Sequence, residues 1–117
     1  MGCVVIGAEA GELLERGARH HRILCELPAF EAIELRFGPE FEGVDPHTHA
    51  DHTDSFYVLE GEAEFTVGEE RLRAGPGSFV AAAAGTVHGF RNVGGGELRL
   101  LNVHAPNVGF AEGLRRE

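Results

Sequence analysis

The chain has 117 residues, 43% of them hydrophobic, and its 19 acidic and 10 basic residues give a formal net charge of −9. This length predicts a single domain over residues 1–117 with one hydrophobic core. All the basic residues are arginine, which excludes a lysine Schiff base and the lysine of a phosphate-binding loop. The acidic balance argues against nucleic acid or an anionic membrane as a partner.

The first third of the chain carries weak strand signals. Residues 12–16 fit either a helical turn or a strand, and residues 22–26 fit a strand. His20 and His21 stand in a polar stretch, where we expect them to be solvated. Residues 32–37 alternate Ile, Leu and Phe with Glu and Arg, and this period of two is typical of a half-buried strand.

The second half of the chain shows stronger strand patterns, bounded by Gly and Pro residues. The alternation of apolar and polar side chains is clearest over residues 63–67. Further strands are predicted at residues 56–59, around Leu72, and at residues 78–82, 86–93 and 98–104. Residues 110–116 fit a short C-terminal helix, since Phe110 and Leu114 are four apart. Short strands with close turns predict an all-β antiparallel sandwich or barrel, and periodicity alone does not separate the two.

All three aspartates and three of the seven histidines fall between residues 45 and 54. His47 and His49 are one residue apart, so on a strand both imidazoles would lie on the same face. If the following strand pairs with theirs as a hairpin, Asp54 returns beside them, and His88 lies in a strand further on. Three imidazoles and a carboxylate suit Fe, Mn, Ni, Cu or Zn, with open positions for water or substrate.

Other interpretations of this window remain open. Histidines one residue apart also occur on solvated strands that bind nothing. His52 is the rival for the fourth ligand position, although its opposite parity to His49 favours a turn or a rim position. Asp45 and Asp51 are predicted as turn residues, since Asp45 precedes a proline.

Residues 43–104 resemble the small single-domain cupins. The first cupin motif, about residues 43–61, has two histidines one residue apart, then an acid, then a glycine. The second motif, about residues 77–92, has glycines, a histidine and an asparagine at fixed spacing. The residues that match the two motifs are His47, His49, Asp54, Gly61, Gly77, Gly85, His88 and Asn92.

The chain departs from the cupin pattern at three positions. The acid of the first motif is usually glutamate but here is Asp54, Gly43 is out of register, and Ala83 replaces a proline. The resemblance implies a double-stranded β-helix, or jelly-roll barrel, with one divalent transition metal held inside by the three motif histidines and Asp54. It also implies a homodimer.

Small cupins include dioxygenases, isomerases, decarboxylases and binding domains, so the resemblance leaves the activity open. We expect a metalloenzyme acting on a small organic substrate, dioxygenase-like, with Asp54 also as catalytic base. The alternatives are a non-catalytic small-molecule binding or sensing domain and a metal-free structural barrel. Phe90 is the candidate pocket wall, with His52 and His104 as further pocket candidates. His104 also fits a buried, hydrogen-bonded histidine without a ligand.

Most of the other chemistry-bearing residues receive structural predictions. Phe56, Phe65 and Phe79 are expected mainly in the core, and no arginine is expected to bind a carboxylate inside the barrel. Cys3 and Cys25 are predicted to be buried free thiols in a reducing compartment. The opening Met-Gly is typical of an N-myristoylation signal, but Ile at position 6 does not fit one. A cytoplasmic location is therefore expected.

Overall fold

The computed structural model describes residues 3–117; the opening Met-Gly lies outside the described residues. The described residues form strands and one short helix, in this order: β1 Glu12–Arg16, β2 Arg19–Leu27, β3 Phe30–Phe37, β4 Gly43–His47, β5 Thr53–Glu60, β6 Ala63–Val67, β7 Glu70–Ala74, β8 Phe79–Ala82, β9 His88–Asn92, β10 Leu98–Ala105 and α1 Phe110–Arg115. The prediction of an all-β antiparallel chain with a short C-terminal helix is confirmed.

The strands form two antiparallel sheets that face each other as the walls of a jelly-roll barrel. The larger sheet has the strand order β1-β2-β3-β10-β5-β8, and the smaller has the order β4-β9-β6-β7. Strands distant in sequence are neighbours in both sheets: β10 lies between β3 and β5, and β9 lies between β4 and β6. Among the described residues, no helix is long and apolar enough to cross a membrane.

The core joins the inward faces of the two sheets. The ring centroid of Phe56 on β5 lies 5.3 Å from that of Phe65 on β6 and 5.6 Å from that of Phe90 on β9. Val58 and Leu100, on neighbouring strands of the larger sheet, have no exposed surface. Alternate residues of the central strands therefore build an apolar core between the two sheets.

Several local predictions are wrong. Phe79 is 66% exposed, so it does not belong to the core. Cys3 is exposed and Cys25 half-buried, so neither is a buried thiol. His21 is buried rather than solvated, because it shares the inward face of β2 with Ile23. Residues 12–16, left open between helix and strand, form a strand that pairs with β2.

Candidate metal centre

A β-bulge in β4 brings His47 opposite His88. Two β4 residues, Asp45 and Pro46, lie opposite the single β9 residue Gly89, where the pairing of the two strands shifts. A Cβ atom on residue 89 would lie 2.6 Å from a β4 carbonyl oxygen, so the close approach requires glycine. Asp45 therefore lies in a strand bulge, not in the predicted turn.

His49 lies beyond the end of β4, so the predicted shared strand face does not explain its position. Its carbonyl oxygen accepts a hydrogen bond from the N–H of Gly85 at 2.6 Å, which ties this segment to the turn before β9. The centroid of the His49 ring lies 4.6 Å from that of His47 and 5.1 Å from that of His88. The three imidazoles converge through this loop contact.

Asp54 reaches the imidazoles from the opposite wall of the barrel. The predicted hairpin is wrong, because β5 pairs with β10 and β8 whereas β4 pairs with β9. The Oδ2 atom of Asp54 lies 2.9 Å from Nε2 of His88 and 3.9 Å from Nε2 of His49. With His47, these residues offer four ligand atoms within 4.8 Å of one another.

The orientation of the rings fits a metal ion. Nδ1 of His47 lies 2.9 Å from the carbonyl oxygen of Asp45, and Nδ1 of His88 lies 2.9 Å from that of Thr86. Such contacts hold Nδ1 protonated and leave Nε2 free to bind a metal. Ligand atoms that share one ion lie at most about 4.4 Å apart, so small side-chain movements would complete a site for a divalent transition metal.

The electrostatics of Asp54 favour its ionised form. Burial raises the pKa of this carboxyl, but hydrogen bonds with His104, Asn102 and His88 outweigh burial and hold its pKa below the usual value. Burial and the neighbouring imidazoles lower the pKa of His49. An ionised carboxylate beside a neutral imidazole is the combination that metal binding requires.

The other oxygen of Asp54 faces a second set of groups. Oδ1 accepts a hydrogen bond from Nδ2 of Asn102 at 2.7 Å and lies 3.3 Å from Nε2 of His104. Nδ1 of His104 lies 3.4 Å from Oε2 of Glu31. Glu31, His104 and Asp54 are direct partners in the pairing of β3, β10 and β5, so they form one row across the sheet.

Glu31 is a buried carboxylate that the sequence prediction missed. It has no exposed surface and accepts backbone N–H groups of Val108, Phe110 and Ala111 at 3.1–3.2 Å, which anchors the start of α1. The alternation of side chains along β3 could have indicated that Glu31 is buried, since Glu31 shares the inward face of this strand with Ile33.

His52 lies in the loop between the bend at residues 50–51 and β5, as the predicted turn position requires, but only 6% of its surface is exposed. Its Nδ1 atom lies 2.9 Å from Oδ1 of Asp51, which is exposed in a bend as predicted. The His52 ring lies between those of His49 and His104, at centroid distances of 4.3 Å and 5.0 Å. His52, Asp54 and His104 form a second group of potential ligands, again within 4.8 Å of one another.

Both groups lie at one end of a cavity of about 380 Å³. Aromatic rings line much of the remainder, including the predicted wall residue Phe90 together with Phe37 and Phe110. Arg19 also lies on the cavity wall, and its guanidinium contacts Glu117 at 3.3 Å. The cavity thus combines a polar, potentially metal-binding end with an apolar body.

The fold is a jelly-roll barrel, and the histidines and the carboxylate that converge inside it could hold a metal ion. The family model described as "Cupin domain" matches residues 34–104, more than half of the chain. The chain therefore belongs to the cupin family.

One curated relative and two solved structures show the range of the similarity. Quercetin 2,3-dioxygenase of Bacillus subtilis (strain 168) is 29% identical over 90 residues, which are 74% of this chain but only 27% of that protein. The structure of KdgF from Halomonas sp. has a TM-score of 0.79 at 22% identity, covering 91% of this chain and 94% of that one. The structure of TT1209 from Thermus thermophilus has a TM-score of 0.71 at 28% identity, covering 79% of this chain and 87% of that one.

Proposed function

We propose that this cupin is a metal-dependent enzyme acting on a small organic molecule, with dioxygenase-like oxidation as its leading activity. The observation that carries the proposal is the convergence of four ligand atoms, from His47, His49, Asp54 and His88, at the polar end of the cavity. The similarity to quercetin 2,3-dioxygenase over 74% of the chain supports oxidation of the substrate as the proposed reaction.

The side chains of the site divide the work between binding and proton transfer. A divalent transition ion held there supplies Lewis acidity and, where it is redox-active, access to dioxygen. Asp54 is ionised, so it can accept a proton from a substrate hydroxyl or carbon acid. Asn102 and His104 hold the other oxygen of that carboxylate and fix its orientation.

The cavity body would hold the rest of the substrate. Its volume of about 380 Å³ suits a small molecule, and the rings of Phe37, Phe90 and Phe110 give it an apolar part. Arg19 offers a positive charge on the wall for a polar or anionic substituent. We therefore expect a substrate with metal-chelating oxygens and an apolar body.

A second candidate function is binding or sensing of such a molecule without turnover. One observation favours it: three protein groups, from His88, Asn102 and His104, already contact the Asp54 carboxylate. A short carboxylate held at both oxygens is less free to move as a base than the glutamate usual in cupins.

Metal binding tests the proposed site first. Untagged protein should contain bound transition metal by elemental analysis. Asp54→Ala should weaken metal binding more than tenfold, on the scale of losing a ligand or its support. Asp54→Glu should retain the metal, and Asp45→Asn, which changes an exposed carboxylate nearby, is the matched control. Unchanged affinity in Asp54→Ala would refute the proposed ligand set.

Oxygen consumption then separates an enzyme from a binding protein. The metal-loaded protein is offered a panel of diketones, flavonols and thiols, and oxygen uptake is measured for each. We expect uptake with at least one chelating substrate, lost in His88→Ala. Saturable binding of the same compounds with no turnover, under any of iron, manganese, nickel or copper, would favour the binding function instead.

A further inference from the structure

Asp54 presents its two oxygens to two different histidines. Oδ2 lies 2.9 Å from Nε2 of His88, and Oδ1 lies 3.3 Å from Nε2 of His104. The ring of His104 does not take part in the metal site proposed above. A carboxylate that directs one oxygen to each of two imidazole groups has the arrangement of a bridging ligand.

The hydrogen bonds of these two imidazoles do not balance while both rings are neutral and no metal ion is bound. A neutral imidazole carries a single N–H. His88 lies between the carbonyl oxygen of Thr86 and the carboxylate of Asp54, and His104 lies between the carboxylates of Glu31 and Asp54. Each ring therefore has acceptors on both sides. In each neutral ring, one of the two nitrogens therefore faces an acceptor oxygen with a lone pair and no proton. A metal ion or an additional proton between the two atoms would remove this repulsion.

His52 supplies a third donor beside His104. Its Nδ1 atom contacts Oδ1 of Asp51 at 2.9 Å, which leaves Nε2 as the free nitrogen. The ligand atoms offered by His52, Asp54 and His104 lie within 4.8 Å of one another, and the exposed fractions of these residues are 6%, 4% and 3%. These donors are therefore largely shielded from bulk water and are reached through the cavity that they line.

Both sides of Asp54 share one pattern of ring orientation. In His47 and His88, Nδ1 contacts a backbone carbonyl oxygen. In His52 and His104, Nδ1 contacts a carboxylate oxygen of Asp51 or Glu31. Partners of this kind fix the ring and raise the basicity of Nε2 in metal-binding histidines.

We propose that the barrel holds a second divalent transition metal ion, bound by Nε2 of His52, Nε2 of His104 and Oδ1 of Asp54. Asp54 then bridges a two-metal centre, in which ions typically lie about 3.5–4 Å apart. The proposal rests on the proposed function in one respect, the sharing of Asp54 with the first ion. Asn102 occupies one lone pair of Oδ1 and leaves the other for the ion.

The donor set indicates the kind of ion. Two imidazoles and one carboxylate oxygen suit zinc, manganese or iron, whereas calcium takes six or more oxygens. Three protein ligands also leave a coordination position open to water or substrate. The second ion would therefore face the same cavity as the first.

Metal stoichiometry tests the proposal directly. Protein stripped with a chelator is reloaded with Zn²⁺, freed of excess ion, and assayed by elemental analysis. We expect two equivalents in the wild type and one each in His52→Ala, His104→Gln and His47→Ala. His20→Ala, which removes a histidine outside the cavity that contacts Glu15, is the matched control and should keep both equivalents.

The outcomes distinguish this proposal from the proposed function. A single equivalent that is lost in His47→Ala but retained in His52→Ala and His104→Gln would overturn the second site and leave the first intact. A single equivalent with the opposite pattern would overturn the first site alone. A wild type that binds no Zn²⁺ would overturn both.

Electron paramagnetic resonance of Mn²⁺-loaded wild type gives a test that does not depend on the folding of any variant. Two Mn²⁺ ions bridged by Asp54 should show exchange coupling at low temperature. The six-line spectrum of an isolated ion at full loading would overturn the two-metal centre. Circular dichroism of each variant shows whether a lost equivalent reflects a lost ligand or a lost fold.

Discussion

The two ends of the barrel interior are built by the same strands and differ in chemistry. On β5 the inward row passes from Asp54 to Phe56 and Val58. On β10 it passes from His104 and Asn102 to Leu100 and Leu98 at the other end. Both rows are buried along their whole length. Alternation along each strand thus decides which side chains point inward. The residue type at each inward position decides whether that end of the interior forms a polar site or an apolar core.

The two ends also differ in what burial does to stability. At the apolar end each buried side chain stabilises the fold, at about 25 cal/mol per Å² removed from water. At the polar end burial of Asp54 and Glu31 costs free energy that only hydrogen bonds and cations offset. The apolar end therefore supports a polar end that is organised for binding.

Removing a side chain from the apolar end should have the largest effect on stability. Leu100 has no exposed surface, so Leu100→Ala should lower the free energy of unfolding by about 3–4 kcal/mol, measured by urea denaturation. Leu72→Ala is the matched control, because Leu72 is 47% exposed and should cost less than about 1 kcal/mol. Equal losses in the two variants would contradict the assignment of the core.

At the polar end the largest stability effect should come from Glu31. Glu31→Gln keeps the shape but removes the charge that accepts three backbone N–H groups at the start of α1. We expect a loss of about 2 kcal/mol in the free energy of unfolding, the scale of hydrogen bonds to a charged group.

The readout specific to this contact is local. Amide hydrogen exchange should accelerate at residues 108–111 in Glu31→Gln, and Glu69→Gln, in an exposed turn, should change neither quantity. Uniform acceleration across the barrel would mean that Glu31 acts on the whole fold and not on α1.

The sequence predicts the inward rows better than the pairing of strands. Alternation is a local property, so residues 63–67 and 98–104 could be assigned as strands from their own pattern. The order of strands is not local: β4 pairs with β9 and not with β5, and nothing in residues 47–54 indicates that. The predicted hairpin is the default for consecutive strands, and the barrel overrides it.

The polar end shows the same limit. His47, His49, Asp54 and His88 could be grouped from motif spacing, although a loop and a bulge place them rather than a shared strand. Two buried groups were missed for a different reason. A polar neighbourhood predicts a solvated His21, and Glu31 precedes the predicted strand at residues 32–37, yet both occupy inward positions. Parity gave the better indication of burial at both positions.

His21 lies at the boundary between the two ends and should give a smaller effect that depends on pH. Burial, with Arg19 nearby, lowers the pKa of His21 from 6.5 to about 4, and its Nδ1 atom has no hydrogen-bond partner among residues 3–117. Between pH 6.5 and pH 4 the unfolded chain therefore binds a proton at this residue that the folded chain excludes. This residue consequently lowers stability as pH falls through that window, and has no such effect above it.

His21→Phe should remove this acid sensitivity. The ring packs edge-on against Phe37 and Phe110, so phenylalanine can keep those contacts. Relative to wild type, the variant should gain about 1–2 kcal/mol between pH 7 and pH 4.5, since the open cavity screens part of the effect. Urea denaturation of the chelator-treated proteins at both pH values measures the gain and keeps metal binding out of the comparison. His20→Phe, at a half-exposed neighbour, should show a smaller change. A difference in stability between His21→Phe and wild type that stays constant with pH would contradict this prediction. It would mean that the folded protein protonates His21 as readily as the unfolded chain does.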